Sequence, residues 1–229
     1  MKSKSENFPV ITIDGPAGSG KGTITERIAS NLGWEILDSG ALYRLVGLAA
    51  IREGVDFNDE IRLARIAETL DVSFVPNGDG VDVFLKGDNV SDLIRNEECG
   101  SCASKVAAIN GVRNALLARQ RKFSGPDGLV ADGRDMGTVI FPEAKVKVYL
   151  TASAKIRAER RLNQLKNQGV NANLASLIED IEERDKRDTT RKVAPLIPAA
   201  DAIIIDTGKS SIDEVVSQIM KLVEKVYKY

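Results

Sequence analysis

The chain contains no histidine among its 229 residues. Its absence excludes Ser-His-Asp and Cys-His nucleophilic chemistry and any histidine-ligated metal centre. Cysteine is scarce as well, with Cys99 and Cys102 alone, spaced Cys-x-x-Cys. A structural zinc site needs about four ligands, and no further cysteine or histidine is there to complete one. A thioredoxin-like pair belongs after a strand in a βαβ unit, and Asn96–Ser101 lacks that pattern. Both cysteines are therefore expected as small helix-surface or core residues. No apolar run approaches the roughly 20 residues of a membrane span. Met1–Asn7 is polar, without the apolar segment of a signal peptide, so a cytoplasmic location and a flexible tail up to about Phe8 are expected. An excess of either charge is also missing, with 32 basic and 33 acidic residues and a net charge of −1. That balance argues against a nucleic-acid binder and leaves clustered arginines to serve a small anionic ligand. At 43% hydrophobic and 28% charged residues, the composition is that of a soluble globular protein, and the chain's length suits one domain with sizeable insertions.

What the chain does have is a glycine-rich stretch, Gly15-Pro16-Ala17-Gly18-Ser19-Gly20-Lys21-Gly22-Thr23, between the apolar run Val10–Ile13 and a helix-like segment, Ile24 to Leu32. Gly-x-x-x-x-Gly-Lys between strand and helix is a phosphate-binding P-loop. Glycines let successive N–H groups point at phosphate oxygens, the helix adds its positive end, and Lys21 adds a cation. Gly22 stands where Ser or Thr usually ligates Mg²⁺, and the hydroxyl follows on Thr23. A glycine-rich turn in an unrelated α/β protein is the alternative, disfavoured by the lysine standing in register.

Along the chain, strand Val10–Asp14, the P-loop, a helix ending at Gly33 and a strand near Glu35–Leu37 imply a parallel sheet with a right-handed crossover. Asp38-Ser39-Gly40-Ala41-Leu42-Tyr43-Arg44 opens a helix to about Glu53, with Ser39 either its N-cap or a ligand. Helical spacing follows from Ile61 to Leu70. Alternating runs Val72–Val75 and Val81–Leu85 then flank Pro76-Asn77-Gly78-Asp79-Gly80, a hairpin with a five-residue loop. Helical periodicity resumes from Gly100 to Phe123, with a break or kink at Gly111, and Arg113 falls on the stripe of Val106, Ile109 and Leu116. Strands at Gly128–Asp132, Val146–Thr151 and Ala202–Asp206 complete five parallel strands. The charged turn Asp132-Gly133-Arg134-Asp135-Met136-Gly137 lies past a strand's carboxyl end, where α/β sheets bind ligands. In the helix Ala154 to Lys166, Arg157, Arg160 and Arg161 share a face, ordinarily a solvated one. The next helix carries Leu174, Leu177, Ile178 and Ile181, and the same stripe continues into Arg184, Asp188 and Arg191. These charges either pair among themselves or line a cleft, and the cationic clusters beside a P-loop favour the cleft. Pro195 and Pro198 end that helix, and a last one spans about Ile212 to Tyr227.

A P-loop alone leaves switch, motor, transporter subunit and small-molecule kinase open. Arginines spread over several loops suit phosphoryl transfer between two phosphates, where like charges must be offset. Four motifs then carry a resemblance: Gly15–Thr23, Asp38–Arg44, Asp132–Thr138, and Glu183-Arg184-Asp185 through Asp188 and Arg191 to Leu196. In that order, from about Val10 to Asp206, they resemble the bacterial cytidylate kinases, a branch of the nucleoside monophosphate kinases. Gly22 is shared by those kinases and so is not a defect in the loop.

The resemblance implies an α/β P-loop kinase core with a five-stranded parallel sheet flanked by helices. It also implies an α+β monophosphate-binding insertion with antiparallel strands and a helical lid. Within this single kinase unit, the core is expected at 8–62, 103–153 and 192–229, the insertion at 63–102, and the lid with its adjoining helix at 154–191. Ser39, Arg113, Asp135 and Arg191 would recognise cytosine. Arg44 and Arg134 would hold the acceptor phosphate, Tyr43 of the same motif would belong to the substrate-binding set, and Ser104, Arg184 and Asp188 would face the ribose. Asp132 matches too, with a role not separable from that of Asp135. Lys21 and the loop amides would bind ATP, Thr23 would ligate Mg²⁺, and Arg157 and Arg161 would act from the lid. Lys21, Arg134, Arg157, Arg161 and Arg191 form the implied catalytic set. The implied reaction is phosphorylation of CMP, and of dCMP, by ATP, in a monomer without nucleic-acid or membrane partners. A kinase for UMP, AMP or a small alcohol is the alternative enzyme. A nucleotide-dependent switch is the alternative from another class, opposed by the complete catalytic set.

Overall fold

The computed structural model describes residues 8–77 and 80–227. In chain order its elements are β1 (Val10–Asp14), α1 (Lys21–Leu32), β2 (Glu35–Asp38), α2 (Ser39–Arg52), α3 (Glu60–Glu68), β3 (Val72–Asn77), β4 (Gly80–Leu85), β5 (Asp88–Asn89), α4 (Glu97–Val106), α5 (Asn110–Arg121), β6 (Leu129–Gly133), β7 (Val146–Thr151), α6 (Ala154–Asn167), α7 (Leu174–Thr190), β8 (Ile203–Asp206) and α8 (Ile212–Tyr227). A 3-10 turn at Leu93–Arg95 and a π-type turn at Met136–Ile140 complete them. The tail expected up to about Phe8 lies, apart from Phe8, outside the described residues. The chain forms two units. One holds the described residues up to Asp38, Arg121–Thr190 and the chain from Ala194; the other holds Ser39–Gln120 with Arg191–Val193.

The first unit is built on a five-stranded parallel sheet of order β2-β6-β1-β7-β8. β1 pairs on both sides and is buried along its whole length, which is why it reads as an apolar run rather than an alternating one. All five strands expected from the sequence are present. α1 turns Ile24, Ile28 and Ala29 inward against Ile11, Ile13, Val148 and Leu150. Gly33, in the left-handed region at φ 66°, caps the helix by donating to the Ala29 carbonyl. α8 adds Val215, Val216, Ile219 and Val223 to the same core, an i, i+4, i+8 face. Trp34 meets the Tyr227 ring edge-on at 5.5 Å, and the Tyr227 hydroxyl donates to the Val10 carbonyl.

The second unit combines helices with a three-stranded antiparallel sheet, β3-β4-β5. The hairpin is tighter than the sequence suggests. Register continues through Pro76↔Val81 and Asn77↔Gly80, so both strands run into the expected five-residue loop. Gly78 and Asp79, the rest of that loop, lie outside the described residues. The helical stretch after Gly100 also differs. It is two helices broken between Val106 and Asn110, and Gly111 sits inside the second. A Cβ at Gly111 would come within 2.9 Å of the Ala64 Cβ, so this glycine serves close packing rather than a kink. Cys99 and Cys102 are free, buried thiols on α4, and burial raises both above the usual thiol range.

Candidate active site

In the first unit the P-loop leaves β1 and enters α1. Gly15 has φ 153°, and a Cβ there would lie 2.2 Å from the Leu150 carbonyl oxygen, so only glycine lets the loop cross β7 this closely. Lys21 is buried, and its Nζ donates to the Pro16 carbonyl at 2.9 Å. The Ser19 hydroxyl is also buried, without a hydrogen-bond partner among the described residues. Thr23 is exposed on the first turn of α1.

β6 runs beside β1 in register, Asp14 opposite Gly133, so the P-loop and the Arg134–Gly137 turn leave adjacent strands at the same level. Asp14 ties the two together. Its oxygens accept the N–H groups of Met136 and Gly137, each at 2.8 Å. A Cβ at Gly137 would fall 2.9 Å from Thr12 Oγ1 and 3.4 Å from Asp14 Oδ2, so the turn seats on β1 only because that position lacks a side chain. Its far end is held by Arg121, whose Nε and Nη2 donate to the carbonyls of Ile140 and Val139. π-type turns are rare and concentrate at functional sites; this one follows directly on the buried Asp135.

Burial also sets the protonation of the group. It pushes Asp14 up to about 6 against the two N–H bonds that favour the anion. It raises Asp132 and lowers Lys21, although their opposite charges attract. The positive charges of Arg134 and Arg184 lower Lys21 further. Lys21, Asp132, Arg134, Arg184 and Asp14 therefore form one electrostatic cluster, and an anionic ligand would favour the charged lysine. Arg134 Nε donates a hydrogen bond to Asp188 Oδ2, and Asp188 is buried at 2% exposure.

The basic face of α6 is not a solvated one. Arg157 is buried; its Nε donates to the Ala152 carbonyl at 2.9 Å and its Nη1 to the P-loop carbonyl of Ala17 at 3.1 Å. Its two terminal nitrogens also grip both oxygens of Asp185 on α7. Arg160 donates to the Thr207 hydroxyl and carbonyl, and reaches the Gly18 carbonyl at 3.5 Å. Arg161 bonds Gln164 on its own helix. α7 stops at Thr190, so Arg191 is not on the helical stripe that carries Arg184 and Asp188. Lys192–Leu196 continues without helix, and the Leu196 N–H donates to the Asp188 carbonyl.

In the second unit, Ser39 starts α2 and is buried, with its hydroxyl donating to Gln120 Oε1 at 2.7 Å. The Arg113 guanidinium lies 5.6 Å from the Tyr43 ring centroid, a cation–π contact, and Arg113 Nη1 donates to the Ala107 carbonyl. Arg113 is buried, as its place on an apolar stripe implied. Arg44 donates to the carbonyls of Ile94 and Asn96, and Ser104 is buried on α4. Arg191 also belongs to this unit. Asp14, Gln120 and Asp185 are structural participants to which the sequence assigns no role. Only Asp14 carried a local signal, a carboxylate closing a buried strand just before the P-loop.

A P-loop between the first strand and first helix of a parallel sheet, with an arginine-rich helical pair against it, defines a P-loop kinase core. The sequence profile of the cytidylate kinase family matches residues 11–225, and the chain belongs to that family. It is 55% identical over 213 residues to the cytidylate kinase of Shewanella loihica, covering 93% of each chain. It is 54% identical to that of Photobacterium profundum, covering 96% of this chain and 97% of the relative. Against the cytidylate kinase of Colwellia psychrerythraea it is 55% identical, covering 94% and 96%. The chain is thus a transferase of the nucleoside monophosphate kinase class.

Proposed function

We propose that the chain transfers the γ-phosphoryl group of ATP directly to the phosphate of CMP, and of dCMP, releasing ADP and the cytidine diphosphate. An oxygen of the acceptor phosphate forms the new P–O bond as the bond to the ATP β-phosphate breaks. That oxygen is already ionised at neutral pH, so no general base is required. The observation that supports this reading is the in-register pairing of β1 with β6, from which the P-loop and the charged Arg134–Gly137 turn leave neighbouring strands.

In this reading Lys21 and the amides of Gly15–Thr23 hold the ATP phosphates. The buried lysine held on the Pro16 carbonyl suits that task, because the phosphates would offer it a better acceptor. Arg134 and Arg44 bind the acceptor phosphate, Tyr43 belongs to the substrate-binding set, and Arg157, Arg161 and Arg191 offset the transferred charge. Ser104, Arg184 and Asp188 face the ribose. Ser39, Arg113, Asp135 and Arg191 read the base: a carboxylate accepts from the cytosine N4 amino group and arginines donate to N3 and O2. Asp132 supports the same charge cluster. Thr23 would be the protein ligand of Mg²⁺, which would offset negative charge on the ATP phosphates. No carboxylate cluster able to cage a metal occurs among the described residues, which suits an ion held largely by phosphates and water. Residues 63–102 serve as the monophosphate-binding insertion and 154–191 as the lid. The enzyme acts as a monomer in the cytoplasm, where the buried thiols Cys99 and Cys102 stay reduced.

Asp135→Ala tests the acceptor assignment. The KM for CMP should rise by about 10-fold or more, from one lost charged hydrogen bond, with the KM for ATP nearly unchanged. Equal losses for both substrates would remove Asp135 from base recognition.

A further inference from the structure

Gln120 is fully buried, an uncommon place for a primary amide, and its side chain is engaged at both ends. Nε2 donates to the Leu116 carbonyl at 3.4 Å, one turn back along α5. That contact decides which way the amide faces, because the reversed orientation would set Oε1 against a carbonyl oxygen. Oε1 therefore faces Ser39, whose hydroxyl donates to it across 2.7 Å. A serine hydroxyl has one hydrogen and two lone pairs. Once the hydrogen is committed to Gln120, Ser39 Oγ meets any other group only as an acceptor.

We propose that Gln120 is a specificity-determining positioning residue, which by holding the Ser39 proton makes Ser39 an acceptor for an exocyclic amino group and a repulsive neighbour for a carbonyl. The proposal rests on Ser39 facing the base, as proposed above. Cytosine carries an amino group at position 4, and uracil carries a carbonyl oxygen there. A freely rotating hydroxyl serves both, accepting from the one and donating to the other. A hydroxyl pinned by Gln120 serves the amino base alone. The polarity of the contact is thus set by a residue 81 positions away in sequence.

A merely structural bridge between the start of α2 and the end of α5 would use the same atoms, so the readout must be a ratio rather than a loss. We would measure kcat/KM for CMP and for UMP in the wild type, Gln120→Met, Gln120→Glu and Ser39→Ala, with thermal unfolding of each. Methionine keeps the volume and removes the acceptor. Glutamate keeps an acceptor oxygen toward Ser39 whether ionised or protonated. The CMP-to-UMP ratio should fall about tenfold in Gln120→Met, chiefly through better use of UMP, and stay within about twofold of wild type in Gln120→Glu. A Gln120→Met protein that loses CMP and UMP activity equally would overturn the proposal. So would a ratio lowered in Gln120→Glu, which keeps the test open if the methionine variant does not fold. A ratio lowered in Ser39→Ala but kept in Gln120→Met sinks the role of Gln120 alone. An unchanged ratio in Ser39→Ala removes Ser39 from base recognition and this proposal with it.

Discussion

Replacing Asp14 by asparagine keeps the size of a buried side chain and removes its charge. The native carboxylate is 4% exposed and accepts two N–H groups at 2.8 Å from the turn after β6. Burial, the largest influence, lifts its pKa from 3.8 to about 6. Between those values the native state binds more protons than the unfolded chain, so stability falls as pH rises through the window and levels off above it. The full difference amounts to about 3 kcal/mol, and the part between about pH 4.5 and about pH 7.5 to about 2 kcal/mol. Asparagine lacks this slope. It also turns an NH2 towards one of the two N–H groups, leaving that buried donor unmet at about 1–3 kcal/mol. At neutral pH these effects nearly offset each other. Urea unfolding at the two pH values should show the stability of the variant relative to wild type improving by about 2 kcal/mol on going to the higher pH.

Turnover should move differently. With one anchor of the Met136–Gly137 turn gone, kcat/KM for the acceptor at neutral pH should fall at least about tenfold, about 1.4 kcal/mol, because small displacements of positioning groups weigh heavily on phosphoryl transfer. The wild type should also lose activity as pH drops through about 6, where Asp14 protonates and gives up one accepted N–H, and Asp14→Asn should lack that limb. A stability difference that does not vary with pH, or full activity in the variant, would refute the reasoning.

Two further substitutions probe the same frame. Gly137→Ala places a Cβ 2.9 Å from Thr12 Oγ1 and 3.2 Å from Lys147 Cδ; it should destabilise by about 1–3 kcal/mol in urea titrations and raise the KM for CMP above that for ATP. Arg157→Met removes the bonds to Ala152, Ala17 and Asp185 and strands a partly buried carboxylate. A loss of about 3 kcal/mol is expected by chemical denaturation, together with weaker ATP binding, and unchanged stability would show that the guanidinium is not a strut.

The sheet was legible because each of its strands is a local signal, an apolar or alternating run bounded by a turn. α7 was legible in the same way, since Leu174, Leu177, Ile178 and Ile181 recur at helical spacing. Arg113 could be singled out because a charge on an apolar stripe is a local contradiction. What stayed hidden depends on distant partners. Asp14 meets the turn 122 residues later, and Arg157 meets Ala17 across 140 residues. No spacing rule within one helix predicts that its arginines grip P-loop carbonyls rather than water. The ends of α4 and α5 were misjudged because Gly111 is a packing glycine, and glycine in a sequence looks the same whether it bends a helix or admits a neighbour. Arg191 falls just off the helix for a related reason: the stripe continues in the letters after the backbone has left the helix at Thr190.

The central claim, that cytidine monophosphate is the acceptor, is tested most directly by coupled ADP release with CMP, dCMP, UMP and AMP offered separately at equal concentration with ATP and Mg²⁺. CMP and dCMP should be turned over well and UMP and AMP poorly, with kcat/KM lower by about tenfold or more. A preference for UMP or AMP, or no turnover with any of the four, would contradict the account.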